Sequence, residues 1–277
     1  MKRISLALGG GGARGLAHLK VLEFFDREDI TISRIAGTSI GAIVGALYAS
    51  GKSACEIQEE LHQYLILKKD RKRSVVKKIP KMLSWFSMLN TDVKQPGVIK
   101  ADAFLKNFIQ DLETIQFEDL KIPLTIAATD YWTGKEVVFD SGPLKPAMLA
   151  SSAIPGMFSA VEVDDQVLVD GSLTNCVPFS HFKDEGPLSV AIDVTPRRTQ
   201  HKRKVPKMTE AAEGVFDIVF DNLIQQQLEI CQPDVFFRPG IEGVSLLEFD
   251  KIESIYEQTE NALPELKRLC KEKGLEL

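Results

Sequence analysis

A mixed, largely parallel β-sheet with helices on both faces is predicted by three features of this 277-residue chain. Short apolar runs of strand length alternate with stretches whose apolar residues recur at helical spacing. The first two runs each end in a glycine-rich turn, Gly9 to Gly15 and Gly37 to Gly41, and each turn opens into a helical stretch. Composition breaks only at a basic block, so one domain over 1–277 is expected, with residues 68–100 as a basic and apolar cap or insertion.

Ile4 to Leu8 is the first strand, and Ala13 to Asp26 follows as a helix with Leu16, Leu19, Leu22 and Phe25 on one face. Ile30 to Ala36 is the second strand. Ser39 to Ser50 is apolar nearly all round, which marks a buried helix, and Gly51 stops it. Glu56 to Leu67 is an amphipathic helix, and Asp102 to Leu112 reads as a helix beyond the cap. Leu124 to Thr129 is a buried strand joined to Glu136 to Asp140 through the Thr133-Gly134 turn. Lys145 to Ala153 is a short helix stopped near Pro155.

Val161 to Val163 and Val167 to Val169 form a hairpin about Asp164-Asp165, and its second strand runs into Asp170-Gly171-Ser172. Leu188 to Val194 is a buried strand, followed by a polar, basic loop from Thr195 to Met208. Thr209 to Glu229 is a long helix whose wide apolar face suits the core, with an acyl-channel wall or a dimer contact as the other use. Asp234 to Arg238 is the last strand, and Phe249 to Lys273 is a helix expected to be interrupted near Pro264.

Charge narrows the partners. The net charge is −5, but residues 68–81 alone carry +7, which leaves −12 on the remainder. An acidic protein with one basic block is not a general nucleic-acid binder; it has a single patch to set against something anionic. Cys55, Cys176, Cys231 and Cys270 form no CxxC pair and have no histidine at metal-ligand spacing, so free thiols in a reducing compartment and no metal are expected. The apolar run in MKRISLAL is too short for a signal-peptide core or a membrane span, which predicts a cytoplasmic protein.

The chemistry lies in the two glycine turns. GTSIG is a GxSxG turn between strand and helix, and it would hold the Ser39 hydroxyl out of the sheet at a helix N-terminus, where negative charge is favoured. Gly9 to Gly12 leaves backbone N–H groups uncovered, as an oxyanion requires, and Arg14 would fix that loop or hold an anionic part of the substrate. Gly10, Gly12 and Gly15 also match the dinucleotide fingerprint GxGxxG. That fingerprint calls for an acidic residue about 20 positions on, where this chain has Ala36-Gly37-Thr38-Ser39. No Gly-Lys-Ser/Thr closes the glycine turn either, so a phosphate-binding loop of that kind is disfavoured.

A serine nucleophile needs a base. By chain order Asp170 with His181 or His201 would complete a triad, but His201 lies in a basic loop, and His18 and His62 fall on helices with ordinary packing roles. Asp170 is the better partner: a carboxylate ending a buried strand, followed by Gly171, can take the Ser39 proton directly. A turn-capping aspartate is the plainer use of the same pair.

With these residues in view, the chain resembles the patatin-like phospholipases. The likeness covers nearly the whole chain and rests on four segments in order: GGGGARG, GTSIG, SSAIPGMFSAV (Ser151 to Val161) and DGS. The resemblance implies a three-layer α/β/α fold, a Ser39–Asp170 dyad without histidine, and Gly10, Gly11, Gly12 and Arg14 at the oxyanion site. It implies hydrolysis of fatty-acyl esters of phospholipids or lysophospholipids with no metal or organic cofactor. Ser172 stands where the family usually has Gly or Ala. A catalytically weak lipid-binding or regulatory protein of the same fold is the alternative, and a dinucleotide-binding protein a lesser one.

Within 68–100, Lys68, Lys69, Arg71, Lys72, Arg73, Lys77, Lys78 and Lys81 precede Met82, Leu83, Trp85, Phe86, Met88 and Leu89. A cationic run beside an aromatic one suits peripheral contact with an anionic membrane surface. A solvated basic helix next to a segment packed over the active site would have the same composition.

Overall fold

β1 (Arg3–Leu8) lies inside an eight-stranded sheet of order β5-β6-β3-β2-β1-β7-β8, with β4 paired to β3. The computed structural model describes residues 2–62, 112–182, 186–197, 205–206 and 208–277. The cap at 68–100 and the helix expected over Asp102 to Leu112 fall outside them, apart from Leu112 itself.

β2 (Thr31–Thr38), β3 (Leu124–Asp130), β7 (Leu188–Ile192) and β8 (Val235–Phe237) run parallel with β1, while β4 (Glu136–Phe139), β5 (Val161–Val163) and β6 (Gln166–Asp170) make antiparallel pairs at the β3 side. The hairpin turn is at Asp164 and Asp165, both with left-handed φ, as a two-residue turn between twisted strands requires.

Alternation along β1 builds both faces. Ile4, Leu6 and Leu8 enter the main core with α1 (Ala17–Arg27), α2 (Ile40–Ala49) and α5 (Ile252–Glu272), whereas Ala7 joins a second cluster with Phe220 and Ile224 of α4 (Met208–Ile230). The result is the three-layer α/β/α arrangement. α3 (Leu144–Ser151) packs on β3 and β6, and residues 54–62 are helical.

α4 uses its apolar residues on two sides: Phe220 and Ile224 are buried, while Val215, Ile218 and Val219 remain exposed. α5 departs from expectation, because it continues through Pro264 without a break. An interior proline costs a helix about 3 kcal/mol. The buried stripe of Ile255, Leu263, Leu266 and Cys270 outweighs that, at roughly 1.5–3 kcal/mol per large side chain.

The C-terminal ends of the parallel strands share one edge, and the chain switches direction there: β1 leads to β2 on one side, while β7 flanks it on the other. Ligands of open α/β sheets bind at such a point. Here it carries the glycine turn.

Candidate active site

The first glycine turn is pinned from several directions. Gly9 N–H donates to the Ile192 carbonyl at 3.0 Å, Gly10 N–H to Cys176 at 2.9 Å, and Ala13 N–H to Leu246 at 2.7 Å. Fully buried His18 lies 2.8 Å from the Gly9 carbonyl through Nε2. A carbonyl only accepts, so Nε2 carries the hydrogen. Burial holds the His18 imidazole down at about 4, so it stays neutral.

With the Gly10 N–H donated to Cys176, the amides of Gly11 and Gly12 are those of the loop that have no acceptor among the described residues. Gly10 contributes its missing side chain instead: a Cβ there would stand 2.1 Å from Ser172 Oγ and 3.4 Å from Ser39 Cβ.

The second turn presents Ser39 at φ 54°, ψ −123°, as the N-cap of α2. A residue with a Cβ pays for that backbone, and such strain persists where the surroundings over-determine it. Gly41 permits the fit, since a Cβ there would lie 2.1 Å from the Leu8 carbonyl. The N–H of Ile40, next after the serine, opens the helix and is an orphan donor of its first turn.

β3 brings the serine and aspartate together. Thr38 is registered against Ala127, and Asp170 against Ala128, so the C-terminal ends of β2 and β6 reach adjacent residues of one strand. Ser39 Oγ donates to Asp170 Oδ2 at 2.7 Å, and both residues are buried. Asp170 Oδ1 accepts from Ser172 N–H at 2.8 Å, and its own carbonyl accepts from Thr129 Oγ1 at 3.0 Å. Burial pushes the Asp170 carboxyl up to about 6, while hydrogen bonds from Ser172 and Ser39 pull the other way.

Arg14 is buried, and both its Nη atoms donate to Asp217 Oδ1 of α4 at 3.0 Å. Of the two uses expected of it, this contact serves the first, fixing the loop. None of the described histidines touches Ser39: His18 holds the loop, His181 pairs with Glu136 at 2.9 Å, and His62 lies 3.5 Å from Glu253. His201 is outside the described residues. Sequence reasoning did not single out Asp217, Ile40, or the hydroxyl of Ser151, which contacts Ser39 N–H at 2.8 Å. An acidic partner for a buried arginine could be anticipated, but not which one, across 203 positions.

These features define a class: a three-layer α/β/α protein with a serine on a strained strand-to-helix turn, hydrogen-bonded to a buried aspartate. A family model described as patatin-like phospholipase matches residues 6–183, and the chain belongs to that family. An uncharacterized NTE family protein of Mycobacterium tuberculosis is 34% identical over 178 residues, 64% of this chain and 45% of that one. Lysophospholipase NTE1 of Candida glabrata is 26% identical over 279 residues, 91% of this chain and 15% of the yeast protein. VipD from Legionella pneumophila, a crystal structure, aligns with a TM-score of 0.47 at 13% identity, over 95% of this chain and 67% of VipD. The chain spans less than half the length of these two sequence relatives.

Proposed function

We propose that the chain hydrolyses fatty-acyl esters of phospholipids or lysophospholipids. The observation that carries this reading is the 2.7 Å hydrogen bond from Ser39 Oγ to Asp170 Oδ2 at the edge of the sheet. In the mechanism, Ser39 Oγ attacks the ester carbonyl as Asp170 takes its proton. The tetrahedral oxyanion receives the N–H groups of Gly11, Gly12 and Ile40. Collapse expels the alcohol, which takes the proton back from Asp170. Water, deprotonated by Asp170, then attacks the acyl-enzyme and releases the fatty acid. The named lysophospholipase relative favours a lysophospholipid among the substrates.

A fluorophosphonate probe tests the chemistry: labelling is expected of the wild-type chain, lost in Ser39→Ala and absent in Asp170→Asn. No labelling, with retained binding of lipid, would favour the non-catalytic reading. A panel of p-nitrophenyl esters of rising chain length, lysophospholipids and diacyl phospholipids identifies the substrate, with Ser39→Ala as blank.

The basic and aromatic residues of 68–100, which lie outside the described residues, serve in this reading as a contact with anionic lipid surfaces. Replacing the eight basic residues by glutamine should weaken binding to anionic vesicles at low salt; unchanged binding would sink the idea. Among the described residues, no helix is long and apolar enough to cross a membrane.

A further inference from the structure

Ser151, the last residue of α3, is fully buried, and its hydroxyl links β3 to the serine turn that follows β2. Oγ donates to the Ala127 carbonyl at 2.6 Å and accepts from Ser39 N–H at 2.8 Å. The direction of this chain is fixed at both ends, since a backbone N–H can only donate and a carbonyl can only accept. Two residues further on, the Ala153 carbonyl accepts from Asp170 N–H at 3.0 Å. One short segment, Ser151 to Ala153, therefore holds the backbone amide of each dyad member. It does so where β2 and β6 meet against Ala127 and Ala128.

The Ser39 amide needs such a partner. It belongs to a residue at positive φ, one past the end of the β2 ladder, and it is buried. Left unpaired, a buried donor would cost the strained turn its anchor. Ser152 makes the contrast: its Oγ is also enclosed, yet it has no hydrogen-bond partner among the described residues.

We propose that Ser151 is a positioning residue for hydrolysis, its hydroxyl fixing the backbone of Ser39 so that Oγ stays on Asp170. This rests on the hydrolase reading above. Ser151→Ala should lower kcat by ~10- to 100-fold, the scale of a small misplacement of a reacting group, with KM within about twofold. Ser151→Thr, which keeps the hydroxyl, should stay within about threefold of wild type, and Ser152→Ala should match wild type.

Thermal unfolding of each variant separates folding from positioning. Should Ser151→Ala not fold, Ser151→Cys, whose sulfur accepts only weakly, is expected to show the same fall in kcat. Wild-type kcat in either variant, or an equal loss in Ser152→Ala, would overturn the inference while leaving the hydrolase reading intact. A wild-type chain that neither labels with fluorophosphonate nor cleaves any ester would overturn both.

Discussion

Asp217 Oδ1 accepts from both Nη1 and Nη2 of Arg14 at 3.0 Å, which fastens the middle of α4 to the turn that follows β1. Arg14 is only 1% exposed, so the carboxylate is what makes its burial tolerable. Removing one partner of a buried pair leaves an uncompensated charge and costs about 3–5 kcal/mol. Asp217→Asn should lose that order of stability in urea denaturation, and turnover should fall with it. The double variant Arg14→Met, Asp217→Leu separates the two effects. It should recover most of the stability, because an apolar pair of similar volume is often neutral, but turnover should stay low because the loop has lost its directed contact. Full turnover in the double variant would show that the pair only stabilises the fold.

Gly10 and Ser172 offer a test of space alone. A Cβ at position 10 would fall 2.1 Å from Ser172 Oγ, while Ser172 Cβ and Ser39 Cβ are each at 3.4 Å. The hydroxyl is thus the main obstruction. Gly10→Ala should reduce kcat by ~100-fold, since the clash sits against the dyad. Ser172→Ala alone should cost less than about tenfold, and the double variant should recover at least half of the logarithmic loss. Additive losses in this cycle would place the defect elsewhere.

How far the sequence reached follows from the range of each interaction. The strand, glycine turn and helix at the N-terminus were legible because period and turn chemistry are local, and the same holds for the Asp164-Asp165 hairpin that delivers Asp170. Ser39 and Asp170 could be paired by their chemistry and by a family resemblance, though they lie 131 positions apart. Which loop amides stay free was not legible: Gly10 N–H is taken by a carbonyl at Cys176, a contact with no mark in either segment. Asp217 is one of several acids on α4, and only packing selects it. Pro264 misled for the opposite reason, because a local rule was overridden by the buried stripe of α5.

The acid limb of the rate profile should report Asp170. A base must be ionised, and burial holds this carboxyl up at about 6 rather than near 3.8. The ratio kcat/KM should therefore fall about tenfold per pH unit below that value. The Ser172 side chain lowers the Asp170 value by hydrogen bonding, so Ser172→Ala should move the limb to higher pH. A limb that stays near pH 4 in both proteins would remove Asp170 as the base.

The same buried groups give the fold opposite responses to acid. Asp170 titrates at about 6 when folded and near 3.8 otherwise, so between those values the folded state holds the extra proton and stability rises as pH falls. Its ionised form costs the fold roughly 3 kcal/mol at neutral pH. His18 titrates at about 4 when folded and near 6.5 otherwise, so there the unfolded state takes the proton and stability is lost as pH falls. That loss is also roughly 3 kcal/mol once pH is below 4. The two terms nearly cancel over their common window, and single variants should unmask them. Relative to wild type, Asp170→Asn should lose stability between pH 6 and 4, whereas His18→Gln, which keeps a donor for the Gly9 carbonyl, should gain it. Urea midpoints measured across that range decide the matter, and parallel curves for the three proteins would mean that neither group is buried as described.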